Sequence, residues 1–149
     1  MFSFLRLPFL FCMLMFTQSI QAEPDFKIPP IQESMKKMYQ IQQKDFTFEG
    51  KHYRLFIAVP PKMSKKLTAL YTLDGNAQFP IAVNAVNPHK PLPLIVGIGY
   101  VSDKAYVIEE RMRDYTFPVE GAEFAKGGKA ADFLRFIQQD VKPYIEQHF

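Results

Sequence analysis

The 149-residue sequence predicts an α/β fold, in which a β-hairpin leads into a mostly parallel sheet with flanking helices. Two continuous apolar runs, residues 67–73 and 92–100, are typical of strands that are buried on both faces of a sheet. A helical pattern of apolar residues follows the first run at residues 76–86, and a second one begins near residue 127. Strands that alternate with helices in this way favour parallel pairing.

The hairpin is predicted from the stretch "DFTFEGKHYRLFIAVP" at residues 45–60. Apolar and polar residues alternate on both sides of Glu49 and Gly50, which is the pattern of two strands joined by a tight turn. The pair Pro60-Pro61 then ends the second strand.

The last third of the chain predicts a loop followed by a long helix. Residues 101–123 are of mixed character and are interpreted as a long loop. Gly127 and Gly128 open an amphipathic helical pattern that runs towards Phe149. Pro143 falls within this pattern and is expected to kink or split the helix, because proline cannot donate the backbone hydrogen bond.

The N-terminus has the pattern of a secretory signal peptide at residues 1–22. A short segment with Arg6 precedes an apolar run at residues 7–16, and Ala22 offers a small residue before a cleavage site. The apolar run is too short for a stable membrane span, although an uncleaved anchor is the alternative. We therefore expect export across the inner membrane to the periplasm. Residues 23–44 are interpreted as a lead-in segment, and residues 45–149 as one partial domain.

Composition argues against several classes of function. The chain has 18 basic and 15 acidic residues, and no basic run exceeds two residues, so nucleic-acid binding is not supported. Its one cysteine, Cys12, lies within the predicted signal peptide, so a disulfide is not expected. His52, His89 and His148 lack the spacing of metal ligands. We expect neither a metal site nor a cofactor.

The first candidate site is the sequence Asp74-Gly75-Asn76, which follows the first buried strand. Ligand sites in open α/β sheets lie at the carboxyl ends of strands, and glycine lets the backbone approach a ligand closely. The backbone N–H groups of Gly75 and Asn76 are therefore candidates for an oxyanion hole. The alternative is a plain turn with an N-cap for the following helix, and the residues alone leave both interpretations open.

The second candidate site is the group Arg111, Arg113 and Tyr115, which follows the second buried strand. Two guanidinium groups and a phenol are suited to holding an anionic or catechol-like substrate. The alternative is that Arg113 and Asp114 form an ion pair that only orders the loop. No serine of the sequence lies in the G-x-S-x-G motif of a nucleophile elbow.

Several motifs resemble, in order, one esterase family of the α/β-hydrolase superfamily, which includes enterochelin esterases, periplasmic siderophore-trilactone esterases and esterase D. These motifs are "YRLFIAVP", "LYTLDGNAQF", "PLPLIVGIGY", "RMRDYTFP" and "GGKAADFLRFIQQDVKPYIEQHF". The resemblance implies that Gly75 and Asn76 supply or shape an oxyanion-hole donor. It also implies that Arg111 and Arg113 line the pocket rim, and that the substrate is a small carboxylic ester such as a siderophore trilactone.

The resemblance also implies what is missing. The family places its nucleophile in a strand beyond the last helix seen in this sequence, and its histidine later still. We therefore expect the N-terminal portion of a secreted serine hydrolase, truncated before the nucleophile strand and inactive alone. The alternatives are a non-catalytic binding module and one half of a split esterase. Residues 67–73 would then form an exposed sheet edge, which favours self-association.

Overall fold

A computed structural model describes residues 27–62, 68–121 and 127–149 of the chain. The predicted signal peptide at residues 1–22 lies outside these ranges, as does the start of the lead-in segment. Within the described ranges, no helix has both the length and the apolar character needed to cross a bilayer.

The described residues form one four-stranded sheet with helices on both faces. The elements in chain order are α1 (Glu33–Met38), β1 (Gln40–Phe48), β2 (Lys51–Val59), β3 (Ala69–Thr72), α2 (Gly75–Asn84), β4 (Leu94–Tyr100), α3 (Ile108–Tyr115), α4 (Ala130–Phe136), a π-helical turn (Ile137–Val141) and α5 (Lys142–His148). The strand order across the sheet is β1-β2-β4-β3. The predicted α/β class is confirmed.

The predicted hairpin is confirmed, but it begins earlier than the sequence indicated. Strands β1 and β2 pair antiparallel from Gln40 opposite Val59 to Phe48 opposite Lys51. Glu49 and Gly50 form the two-residue turn, and both have a positive φ, as a type I′ turn requires. Strand β1 therefore includes residues that were assigned to the lead-in segment, because its polar N-terminal half is only partly buried.

The sheet is mixed, whereas the sequence predicted a mostly parallel one. Strand β4 pairs parallel with β3 but antiparallel with β2. The hairpin contributes two of the four strands, and its second strand lies directly beside β4, so antiparallel pairs outnumber the parallel one in the described residues. The strand pattern along the chain could not show where the hairpin docks.

Strand β4 lies at the centre of the core, and every one of its residues is buried. Alternate residues of β4 point to opposite faces of the sheet. On one face Leu94, Val96, Ile98 and Tyr100 pack with aromatic and aliphatic residues of α4, the π-helical turn and α5. On the other face Ile95 packs with Phe79 and Val83 of α2, and with residues of α1.

Strand β3 differs from β4 because it lies at the end of the described sheet. Leu70 keeps 44% of its surface exposed and the adjoining Leu73 keeps 46%, although the sequence predicted a strand buried on both faces. The apolar character of this strand is therefore not explained by packing among the described residues.

The helices after β4 correct one prediction and confirm another. Residues 108–115 form α3, where a long loop was expected. The final helical region changes from α to π and back to α, with Pro143 in the first turn of α5. This confirms that the region is split near Pro143, since a π-helical turn adjusts the hydrogen-bond pattern ahead of the proline.

Candidate functional site

The turn between β3 and α2 follows the carboxyl end of β3 and contains a residue with a positive φ. Asp74 adopts the left-handed conformation, with φ 51° and ψ 44°, directly before α2 begins at Gly75. Its carbonyl oxygen accepts hydrogen bonds of 2.9 Å from the N–H groups of Ala77 and Gln78. The N–H groups of Gly75 and Asn76, the first two of the helix, have no hydrogen-bond partner among the described residues.

Gly75 is required here by close packing. A Cβ atom at this position would lie 2.7 Å from the backbone carbon of Gly97 and 2.9 Å from backbone atoms of Ile98, both in β4. No side chain fits at such distances without a shift of the backbone. The glycine thus allows the N-terminus of α2 to lie directly on the central strand.

The side chain of Asn76 joins α2 to the end of β4. Its Nδ2 donates to the carbonyl oxygens of Tyr100 (3.0 Å) and Ser102 (2.8 Å), and its Oδ1 accepts from the N–H of Tyr100 (2.9 Å). The side chain is buried and its hydrogen-bonding groups are occupied. Asn76 therefore fixes the position of its own backbone, and its amide side chain is not available to a ligand.

Arg111 and Tyr115 of α3 both bind Asp74. The Arg111 Nε donates to the Asp74 Oδ1 at 2.7 Å, and the Asp74 N–H donates to the Tyr115 hydroxyl oxygen at 3.2 Å. The Arg111 guanidinium also lies over the rings of Tyr106 and Tyr115, at 5.2 and 5.6 Å from their centroids. The hydrogen bond to Asp74 is the largest cause that raises the pKa of Arg111. Two of the three residues predicted to bind the substrate, Arg111 and Tyr115, thus contact the predicted oxyanion-hole turn.

Arg113 lies in a different environment, although it is only two residues from Arg111. It makes two hydrogen bonds to the carboxylate of Asp114, at 2.7 and 2.8 Å. The same carboxylate accepts hydrogen bonds from the hydroxyls of Tyr53 (3.0 Å) and Tyr100 (3.3 Å). The Arg113–Asp114 ion pair of the alternative interpretation is thus present, and it helps to anchor α3 on the sheet where a loop was expected.

The pKa values of Tyr53, Tyr100 and Arg113 in this anchor are all raised, although the main cause differs between the tyrosines and the arginine. Burial, followed by the charge of Asp114, raises the pKa of Tyr53 above its ordinary value. Burial is also the main cause that raises the pKa of Tyr100. The hydrogen bonds to Asp114 raise the pKa of Arg113. At neutral pH both phenols therefore stay protonated and can donate to the buried carboxylate.

Two further residues at this edge were not singled out from the sequence. Gln78 on the first turns of α2 donates from Nε2 to the Tyr106 hydroxyl at 3.0 Å, and Tyr106 supports the guanidinium of Arg111. Tyr106 lies in an irregular segment before α3 and in none of the quoted motifs, whereas Gln78 lies on α2 within the motif "LYTLDGNAQF". The sequence carried no signal that these two residues meet.

The described residues do not bring a nucleophile and a base together. Ser102 and His52 both line a polar cleft of about 380 Å³ beside the hairpin, together with Glu110 and Arg113. No hydrogen bond joins the two, since the Ser102 Oγ accepts from the Lys104 N–H and the His52 Nδ1 contacts the Thr47 hydroxyl. Within residues 27–62, 68–121 and 127–149, no group of three or more His, Cys, Asp or Glu residues has the arrangement of a metal site.

Comparison with curated proteins identifies siderophore esterases as relatives. The chain is 33% identical over 120 residues to the ferri-bacillibactin esterase BesA of Bacillus subtilis (strain 168), with 68% of this chain and 41% of that protein covered. It is 27% identical over 151 residues to the apo-salmochelin esterase of Escherichia coli O6:H1 (strain CFT073), with 90% of this chain and 48% of that protein covered. The chain thus spans less than half the length of both relatives. No family model matches the chain.

Solved structures give the same result. The BES protein from Bacillus cereus superposes with a TM-score of 0.65 at 30% identity, over 73% of this chain and 48% of that one. The enterobactin and salmochelin hydrolase IroE superposes with a TM-score of 0.60 at 27% identity, over 75% of this chain and 48% of that one. The chain is therefore homologous to these siderophore esterases of the α/β-hydrolase superfamily, and it matches them over part of their length.

Proposed function

We propose that this chain supplies one wall of the active site of a hydrolase that cleaves carboxylic esters of siderophores. The observation that carries the proposal is the turn after β3, where the N–H groups of Gly75 and Asn76 lie without a partner among the described residues. Such a turn lies at the carboxyl end of a parallel strand, where α/β sheets bind ligands. The relatives named above act on siderophore esters by their printed names.

The chemistry follows from the charge that develops during ester cleavage. Attack on the ester carbonyl places negative charge on its oxygen, and preorganised N–H donors stabilise that oxyanion. Gly75 and Asn76 offer two backbone donors whose position is fixed by packing on β4 and by the side chain of Asn76. In this proposal they bind the carbonyl oxygen of the substrate, and the loss of either donor raises the barrier to reaction.

The nucleophile and base of this reaction are supplied by residues other than those described. Acyl transfer by a serine hydrolase needs a serine that is activated by a histidine, and the sequence contains no G-x-S-x-G motif. We therefore propose that the 149-residue chain alone does not turn over esters. Release of p-nitrophenol from p-nitrophenyl acetate by the purified chain, blocked by a fluorophosphonate, would contradict this point.

The proposed function itself is tested with a chimera. Residues 27–149 replace the matching part of the Bacillus subtilis esterase, and the remainder of that esterase is retained. The chimera is expected to hydrolyse p-nitrophenyl butyrate and the bacillibactin ester bond. A matched chimera that carries Gly75→Ala tests the turn, and one that carries His89→Ala serves as a control in an exposed loop. A folded chimera that binds the siderophore without hydrolysing it would instead favour a binding module.

The exposed edge of the sheet supports a second proposal, that β3 pairs with another polypeptide. Leu70 and Leu73 are exposed along this edge, and an unpaired apolar strand edge favours pairing with other chains. Half of a split esterase or a second copy of this chain would satisfy it. Sedimentation velocity is expected to show self-association of the isolated chain, and Leu70→Lys is expected to reduce it. A monomer at all concentrations would exclude self-association through this edge.

Export to the periplasm also remains a proposal, supported by the signal-peptide pattern of residues 1–22. Expression in a Gram-negative host is expected to yield a periplasmic product whose first residue is Glu23. An intact N-terminus in the cytoplasmic fraction would contradict both export and cleavage.

A further inference from the structure

We infer that Arg111 and Tyr115 are positioning residues that keep the oxyanion-hole turn open by holding Asp74 away from the N-terminus of α2. The inference rests on the function proposed above, since it concerns the same two donors. Arg111 and Tyr115 then act on the turn by binding Asp74, whereas the sequence indicated that they bind the substrate directly.

The conformation of Asp74 is unusual for a residue at this place in a helix. A helix N-cap residue normally has an extended backbone, and an aspartate side chain there accepts a hydrogen bond from the second or third N–H of the helix. Asp74 instead has a left-handed backbone and makes no side-chain capping bond. A non-glycine residue in that region costs about 1 kcal/mol or more, and such a conformation persists only where the surroundings hold it.

The surroundings hold Asp74 at two points. Arg111 binds its carboxylate at 2.7 Å, and Tyr115 accepts a hydrogen bond from its backbone N–H at 3.2 Å. The Asp74 side chain is 15% exposed and that of Arg111 34%, so the ion pair is partly shielded from solvent. Both partners come from α3, which the buried Asp114 anchors to Tyr53 and Tyr100.

The consequence concerns the two free donors. If the carboxylate of Asp74 were released, it would be free to cap the helix by accepting a hydrogen bond from the N–H of Asn76. That hydrogen bond would occupy a donor that the substrate oxyanion needs. Arg111 and Tyr115 therefore prevent the turn from adopting its ordinary capped conformation, in which Asn76 would be blocked.

The experiment is NMR spectroscopy of the full 149-residue chain, and it needs no enzymatic activity. In Arg111→Met, the N–H resonance of Asn76 is expected to move downfield and to show a through-hydrogen-bond coupling to the carboxylate carbon of Asp74. Arg111→Lys retains the cation and should give a spectrum close to that of the parent. Adding Asp74→Gly to Arg111→Met removes the carboxylate and should abolish the new coupling.

Tyr115→Phe provides an independent test, because it removes one hydroxyl and preserves the ring. It is expected to change the resonances of Asp74 and Asn76 in the same direction as Arg111→Met. Arg54→Met is the matched control, since Arg54 binds the exposed Asp45 through two bonds of 2.7 and 2.8 Å on the hairpin. Its effects should stay on the hairpin.

Unchanged resonances of Asp74 and Asn76 in both Arg111→Met and Tyr115→Phe would overturn the inference. If Arg111→Met does not fold, Tyr115→Phe decides the question alone. A negative NMR result would overturn only the role of Arg111 and Tyr115, and the esterase chimera would still be expected to be active. An inactive parent chimera combined with the expected NMR result would refute the proposed function and retain the role of the two residues in holding the turn.

Discussion

Two turns of this protein share the same local pattern, an acidic residue with a positive φ followed by glycine, and they differ in nearly everything around it. The hairpin turn, Glu49–Gly50, joins β1 to β2. The strand-end turn, Asp74–Gly75, joins β3 to α2. The Glu49 side chain is 46% exposed and pairs with Arg135, whereas the Asp74 side chain is 15% exposed and pairs with Arg111.

The two glycines are needed for different physical reasons. Gly50 has a φ of 74°, and a Cβ atom there would meet nothing within 4 Å, so its role is conformational freedom. Gly75 lies in a helix, and a Cβ atom there would lie 2.7 Å from the backbone of β4, so its role is close packing. The hairpin turn needs only backbone freedom, so it can form wherever the chain reverses. The strand-end turn also needs β4, on which Gly75 packs, and α3, which binds Asp74.

The largest expected effect is the difference between alanine substitutions at the two glycines. Gly75→Ala should lower the free energy of unfolding by about 3 kcal/mol, since backbone atoms of β4 cannot move aside. Gly50→Ala should lower it by about 1 kcal/mol, the strain of alanine at a positive φ. Urea denaturation of both variants measures the difference. Equal losses would show that Gly75 is not packed as described.

The next effect concerns the hydrogen bonds that join the strand-end turn to β4. Asn76→Ala leaves the buried N–H of Tyr100 unpaired and is expected to lower the free energy of unfolding by about 2 kcal/mol. Gly99→Ala should act on the same contacts, because its Cβ atom would lie 2.3 Å from the Asn76 Oδ1. The double variant is therefore expected to lose less than the sum of the two, measured by a double-mutant cycle. Additive losses would show that the sites are independent.

A third effect is the pH dependence of stability, which is expected from the tyrosines near the strand-end turn. Tyr53 and Tyr100, which support α3 behind the strand-end turn, have a pKa raised mainly by burial. A raised folded-state pKa gives stability that is fully present below the unfolded value near 10 and is lost as the pH rises above it. At pH 11 the loss should reach about 1 kcal/mol per tyrosine. Thermal melts between pH 8 and 11 measure it, and Tyr53→Phe should reduce the slope.

The smallest effect is expected at the hairpin turn. Glu49→Asn creates Asn-Gly, the pair that type I′ turns prefer, and should raise the free energy of unfolding by about 0.5 kcal/mol. The ion pair that is lost, with the exposed Arg135, contributes little in solvent. Thermal denaturation compares this variant with the parent protein. A marked destabilisation would mean that the contacts of the Glu49 side chain stabilise the hairpin turn, as those of Asp74 stabilise the strand-end turn.

The sequence predicted those features that depend on local pattern. The hairpin, both apolar strands, α2 and the split helix near Pro143 follow from periodicity and from the special backbone of glycine and proline. Helix α3 was missed because its eight residues include five charged ones and its one buried residue is Asp114. Its position depends on the tyrosines of β2 and β4 that bind this carboxylate, and such long-range partners leave no mark on the local sequence.

The candidate site was predicted only in part, because its contacts also join residues that are far apart in the sequence. The order of motifs located the strand-end turn and the nearby arginines. It could not show that Arg111 binds Asp74 while Arg113 turns to Asp114, because residues two apart on a helix lie on different faces. The alternation of strands also failed to reveal that the hairpin docks antiparallel on β4.

Native-state hydrogen exchange of the unmodified chain tests most directly the claim that the two turns differ in kind. The Asp74 N–H, which donates to Tyr115, is expected to exchange about as slowly as the amides at the end of β4. The Glu49 and Gly50 N–H groups should exchange close to the rate of an unstructured peptide. If Asp74 exchanges as fast as Glu49, the strand-end turn is not held by α3, and the account of a preorganised oxyanion hole is wrong.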